Sequence, residues 1–319
     1  MIEHNKPKFF AETLGFSPVG LRIKQALIAL RGEEDLPKAK IGLSSLRQLH
    51  PLVAAPLWRG KTKIPNKVIM SNLFNLTQSP IEEGWSVQKT MVKDFRDKKL
   101  SYDSHNGVDF AVPINTILLS PAPGKIVKII SEFHRGGLKI IIDHGDGLLS
   151  CSAHLARSLV KVGQVVKRGE EIAITGYSGL DGLATFPFGI PHVHFNVWLN
   201  SIPIDPFSDG KSVAIWNNNN LPIPSSGKTE NERFIPSPIN EKNLERVIND
   251  CITPKVKSKL FKIEDLYFRA MNTVFEMNYY PTRFKTRINI FSKDFDRDSK
   301  FDLPFYKEKF DGIVFIDEI

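Results

Sequence analysis

Four of the chain's eight histidines fall in three short segments. His105-Asn-Gly-Val-Asp109 sets an imidazole and a carboxylate four positions apart. His192-Val-His194 sets two imidazoles two positions apart, and His154 lies between these motifs in Ser-Ala-His-Leu. Successive side chains of a strand point to opposite faces, so His192 and His194 share one face while Val193 and Phe195 turn to a core. Gly107 permits a tight turn that lets His105 and Asp109 reach one point. Three neutral or anionic N/O ligands with one open position describe a catalytic zinc site rather than a closed structural one. No His-Glu-x-x-His motif is present.

The elements that must position these groups read as short strands. Apolar runs punctuated by Gly and Pro cover residues 107–112, 125–130, 138–143, 148–153, 171–175 and 192–199. Gly136-Gly137 and Gly145-Asp-Gly147 stand at hairpin positions. The connections are too short for helical crossovers, so the sheet is expected to be largely antiparallel.

The flanks differ from this pattern. In residues 1–87, Pro18 opens a helix through Leu30, with Leu21, Ala26, Leu27 and Leu30 as its apolar stripe and Gly32 as its stop. A second short helix is expected over 43–49, with Pro51 and Pro56 interrupting the chain beyond it; Lys67-Val-Ile-Met and Trp85-Ser-Val read as strands. Residues 208–238 are rich in Asn, Pro and Ser and read as a linker or long loop. Helices are expected from Asn243 and over 260–277, with Leu260, Ile263, Leu266, Phe268 and Met271 as a packing stripe, then a strand over 283–291. The tail beyond Phe310 carries no pattern.

Composition bounds the rest. The 319 residues suffice for two or three structural units. Lys plus Arg exceeds Asp plus Glu by 43 to 35, and about +5 of that excess precedes residue 88, so the basic balance belongs to the flank. No dense basic run or aromatic-interleaved basic strand points to nucleic acid. Cys151 and Cys251 fall in different units, Cys151 in an apolar strand, so they are expected as free buried thiols, and no Cys-x-x-Cys suggests a cysteine zinc site. No signal-peptide h-region and no apolar run of membrane-spanning length is seen.

The order of motifs carries a family resemblance. His105-Asn-Gly-Val-Asp-Phe, Ser120-Pro-Ala-Pro-Gly-Lys-Ile-Val, Ile142-Asp-His-Gly-Asp-Gly, Ala153-His-Leu, Val162-Gly-Gln-Val-Val-Lys-Arg-Gly-Glu, Gly176-Tyr-Ser-Gly, Pro191-His-Val-His-Phe and Pro203-Ile-Asp-Pro follow one another. Together they make residues 88–207 resemble the lysostaphin-type, LytM-like M23 zinc metallopeptidases. The resemblance implies an α+β chain: a β-rich antiparallel peptidase core over 88–207, with a lipoyl-like hairpin at 162–169, between a mixed N-terminal flank (1–87) and, after the 208–238 linker, a mostly helical C-terminal region (239–319).

It further implies one Zn2+ per chain held by His105, Asp109 and His194. His154 and His192 are then the catalytic histidines, sharing the roles of proton acceptor and oxyanion or leaving-group partner. The implied substrate is a peptidoglycan stem peptide or cross-bridge, which places the enzyme in the envelope or outside the cell. An interaction module without catalysis and an intracellular zinc hydrolase on another substrate are the alternatives. Some relatives are held latent by an N-terminal segment, though no residue here is singled out for that. Departures from the pattern are Leu149-Ser-Cys-Ser before His154, a longer loop from Gly179 to Pro191 expected to reshape the groove, and Asn196 where Glu is common. Tyr102, three residues before His105, reads as a packed loop aromatic.

Overall fold

The strand that carries His192 and His194 lies inside a sheet of eleven strands. The computed structural model describes residues 4–33, 36, 38–40, 46, 49–75, 85–86, 92–102, 105–225 and 232–319. In chain order the strands are β1 (Ala39–Lys40), β2 (Lys67–Asn72), β3 (Trp85–Ser86), β4 (Val108–Ala111), β5 (Ile117–Leu119), β6 (Gly124–Glu132), β7 (Gly137–Asp143), β8 (Leu148–Ser158), β9 (Val165–Val166), β10 (Glu171–Thr175), β11 (His192–Leu199), β12 (Ile202–Pro203) and β13 (Gly312–Phe315). The helices are α1 (Val19–Arg31), α2 (Pro51–Trp58), α3 (Leu180–Thr185), α4 (Glu241–Asn249), α5 (Pro254–Phe261) and α6 (Leu266–Tyr279). The main sheet runs β13-β2-β4-β11-β8-β7-β6-β9, with β10 bridging β8 and β5 and β12 on β11; β1 and β3 form a separate parallel pair. All pairings in the main sheet are antiparallel except β13 on β2.

Alternation along β11 divides its work. Val193, Phe195 and Val197 are fully buried in a core that also takes Val108 and Phe110 of β4 and Leu148 and Leu155 of β8. Each such side chain contributes about 1.5–3 kcal/mol by leaving water, which fixes the register and so the outward direction of His192 and His194. The same outward face continues through Asn196 to Trp198, where α4, α5 and α6 cover it with Leu244, Val247, Leu260, Val274 and Phe275. The C-terminal helices thus roof the strand that carries the histidines.

The six strands expected from alternation all form. The glycine hairpins do too: Gly136 and Gly137 turn β6 into β7 with φ of 73° and 60°, a left-handed geometry natural to glycine. Both cysteines are free and buried. Several flank expectations are corrected. α1 forms where expected, but Leu21, Leu27 and Leu30 of its apolar stripe face solvent; Arg22 and Ala29 are buried instead. The Arg22 guanidinium donates to the Ser131 carbonyl and hydroxyl, so the helix docks on the end of β6 by hydrogen bonds rather than by its apolar stripe.

Pro51 and Pro56 belong to α2. Pro51 occupies the first turn, where its missing N–H has no helical partner to lose, and Val53, Ala54, Leu57 and Trp58 pack on Ala111, Tyr177 and Ile190. The helix expected at 43–49 falls outside the described residues apart from Leu46 and Leu49. The single helix expected over 260–277 is broken into α5 and α6, because the Asp265 carboxylate caps α6 by accepting from the Phe268 N–H at 2.9 Å. Residues 283–291 make no strand. Their backbone groups bond instead to the ends of α4, as in Asn240 N–H to Ile290 O and Ile252 N–H to Arg283 O. The patternless tail supplies β13, which lies parallel on β2 with Gly312 opposite Lys67.

Candidate metal centre

The site is a row across the sheet. Asn72 of β2, Asp109 of β4, His194 of β11 and Ala153 of β8 are successive cross-strand neighbours, and directly opposed side chains on one face lie close enough to touch. His105, in the loop before β4, swings over this row. Its Nε2 lies 3.1 Å from Asp109 Oδ1 and 3.0 Å from His194 Nδ1, and His194 Nδ1 is 2.9 Å from Asp109 Oδ1. Three potential ligand atoms therefore form a nearly equilateral triangle. Gly107 serves by close approach rather than by an unusual φ: a Cβ there would meet the Phe195 carbonyl at 2.6 Å.

Each imidazole is oriented from behind. His105 Nδ1 is 2.7 Å from the Leu73 carbonyl, His154 Nδ1 2.9 Å from that of Ser178, and His192 Nδ1 2.8 Å from that of Ile190. A carbonyl only accepts, so in each ring Nδ1 carries a proton and Nε2 is the nitrogen turned toward the shared space. His194 is turned the other way, its Nε2 3.2 Å from Asn106 Oδ1. Asn72 Nδ2 donates to Asp109 Oδ2 at 2.9 Å, leaving Oδ1 for the triangle.

His154 reaches the site by a local irregularity. By alternation it would point into the core with Ser150 and Ser152. It adopts φ +61°, its N–H bonds to the Gly136 carbonyl, and the β7–β8 and β8–β10 registers shift around it. This bulge resets the alternation, so that Leu155 enters the core and His154 faces His192 with ring centroids 4.9 Å apart. His192 Nε2 is 3.6 Å from Asp109 Oδ1. All five residues singled out in the sequence therefore lie on one side of the sheet around one space.

Electrostatics reinforce the arrangement. Burial alone would raise the Asp109 carboxyl, but the imidazoles of His105, His192 and His194 gathered around it hold it well below the carboxylate range. Burial pushes His154 well below the ordinary imidazole value and His194 down to about 4. At neutral pH these two rings are bare ligands or bases. Tyr102 rests 4.4 Å from the His105 ring and Tyr177 lies 4.8 Å from His192, walling the site. In the long loop, α3 carries Asp181, whose carboxyl desolvation lifts to about 6. Trp58 of α2 fixes that loop by donating from Nε1 to the Gly189 carbonyl at 2.9 Å and by packing on Phe186 at 5.0 Å.

Sequence reasoning missed Asn72, the Leu73 carbonyl and Asn106 as supports. Only Asn106, inside the first motif, carried any local signal. Among the described residues, His105, Asp109 and His194 are the group able to hold a metal ion, and no helix is long and apolar enough to cross a membrane.

Residues 103–206 match the model of Peptidase family M23. The chain is 33% identical over 129 residues to an uncharacterized metalloprotease of Haemophilus influenzae, covering 40% of this chain and 24% of that protein. It is 37% identical over 111 residues to the peptidoglycan DD-endopeptidase ShyB of Vibrio cholerae, covering 34% and 24%. The chain thus spans about a quarter of the length of these relatives. Among solved structures, a zinc containing peptidase from Vibrio cholerae is similar at 28% identity and a TM-score of 0.32, over 44% of this chain and 38% of that one.

Proposed function

We propose that this protein is a zinc-dependent endopeptidase that cuts stem peptides or cross-bridges of bacterial peptidoglycan, working in the cell envelope or outside it. One observation carries the reading. With its Nδ1–H given to Leu73, His105 turns Nε2 toward the Asp109 oxygen 3.1 Å away and toward His194 Nδ1 3.0 Å away, so three potential ligand atoms meet at one point. Each of the three atoms can give a lone pair to a cation. Tetrahedral zinc with ligand bonds of about 2.0–2.2 Å sets its ligands roughly 3.3–3.5 Å apart, a few tenths beyond the triangle. The donor set, two imidazoles and one carboxylate with a fourth direction open, suits a catalytic ion.

His105, Asp109 and His194 would hold the zinc, and Asn72, Leu73 and Asn106 would keep them aimed. Zinc bound there supplies Lewis acidity toward a peptide carbonyl and lowers the pKa of a water in its open position. His154 and His192 face that open side, each with Nδ1–H on a backbone carbonyl and Nε2 turned to the space. One accepts the proton of the attacking water, and the resulting imidazolium can donate it to the departing amine. The other, on taking a proton from solvent, would donate a hydrogen bond to the oxyanion. The M23 match and the activity named for ShyB support a peptidoglycan substrate.

The test is digestion of purified peptidoglycan by the zinc-loaded protein, with the new amino termini identified by mass. Release of peptides by wild type and none by Asp109→Ala is expected. Absence of any release from walls of differing cross-link type would overturn the substrate.

A further inference from the structure

We propose that Tyr279, on a helix outside the matched segment, is a positioning residue for the metal ligand His194. This rests on the metal-site reading above. The link is a buried hydrogen-bond relay that runs in one direction. Cys151 Sγ donates to the Tyr279 oxygen at 3.7 Å, and the Tyr279 hydroxyl donates to Asn196 Oδ1 at 3.2 Å. Asn196 Nδ2 donates to Asn106 Oδ1 and to the Asn106 carbonyl, each at 2.9 Å. His194 Nε2 meets the same Asn106 Oδ1 at 3.2 Å. Two donors share one acceptor, which accounts for the 3.0 Å approach of Asn196 Nδ2 to His194 Nε2.

The relay decides which way the Asn196 amide faces. Asn196 is fully buried, and a buried amide must find partners for its oxygen as well as its nitrogen. The Tyr279 hydroxyl is the hydrogen-bond donor to its oxygen among the described residues. With that donor in place, Nδ2 points at Asn106 and holds its Oδ1 where the His194 N–H needs an acceptor. Without it, a rotated amide would turn its oxygen onto the Asn106 oxygens and push them away. His194 would then lose the bond that fixes its ring and leaves Nδ1 for the metal. Tyr279 is itself held by stacking on Phe275 at 5.0 Å and by the edge of Trp198 at 6.2 Å. The C-terminal helices would therefore be part of the metal centre's support, not only a cover over the sheet.

The test compares Tyr279→Phe, which removes one oxygen, with Phe275→Leu, which loosens the same packing and keeps the hydroxyl. Zinc affinity is measured by chelator competition, the ligand field by the visible spectrum of the cobalt(II)-loaded proteins, and Tm alongside. Tyr279→Phe is expected to weaken zinc about tenfold, the lower end for a supporting residue, and to shift the cobalt bands. Phe275→Leu is expected to lower Tm and leave both readings in place. Wild-type affinity and spectrum in Tyr279→Phe, or the same loss in Phe275→Leu, would overturn the proposal while leaving the zinc site standing. Failure of wild type to take up zinc would overturn both. Should Tyr279→Phe not fold, Asn106→Ala decides, because both donors meet at its oxygen: a loss of at least tenfold is expected, and wild-type affinity would contradict the relay.

Discussion

His144 and the four histidines of the candidate metal centre are imidazoles on or beside one sheet, and they differ in what their second nitrogen meets. His144 is buried with Nδ1 on the Pro123 carbonyl at 2.9 Å and Nε2 on the Ser150 hydroxyl at 2.8 Å. Both nitrogens are paired within the protein, and its ring packs edge-on against Phe301. In the centre, His105, His154 and His192 each give one nitrogen to a backbone carbonyl and turn the other toward a shared space. A fully paired imidazole is a packing group with a hydrogen-bond role. Half-paired imidazoles that converge are oriented for a ligand outside the chain. In the sequence both histidines stand inside ordered motifs, Asp-His-Gly-Asp-Gly at His144 and Ala-His-Leu at His154, and only His154 is singled out for chemistry.

The comparison is broken most forcefully from the centre. His154→Gln and His192→Gln should each retain metal and lose about 10²–10⁴-fold in kcat, the range for a general acid or base. Steady-state kinetics with metal analysis checks this. Unchanged kcat in both variants would reduce these rings to the standing of His144.

The smaller effect is a pH signature at His144. Burial pushes its folded value down to about 3, while an unfolded chain titrates near 6.5. As pH falls below about 6.5 the unfolded state takes up a proton that the folded state refuses, so stability present at pH 7 is lost toward the folded value. Between pH 7 and pH 5 this amounts to about 2 kcal/mol. His144→Asn should lack that share of the pH dependence in chemical denaturation and should bind metal as wild type does. An identical pH dependence would mean that His144 is not held neutral.

Much of this was legible in the chain, for reasons that also mark the limit. The strands and the shared face of His192 and His194 follow from two-residue alternation, which is local. The bulge at His154 does not, because a positive φ on a histidine leaves no trace in a hydropathy pattern. α1 was legible as a helix and misread in its facing, since periodicity identifies an apolar stripe and not the neighbour that Arg22 finds on Ser131. β13 escaped notice because a four-residue edge strand needs its partner β2, far away in the chain, to be recognised. Asn72 and Tyr279 were invisible for the same reason: they stand 37 and 83 residues from the side chains they hold.

The central claim is that His105, Asp109 and His194 form a zinc site, and elemental analysis of wild type beside Asp109→Ala tests it most directly. About one zinc per chain in wild type, lost or sharply weakened in the variant, is predicted. No zinc in wild type after reloading at neutral pH, or a different metal such as iron in its place, would contradict the account.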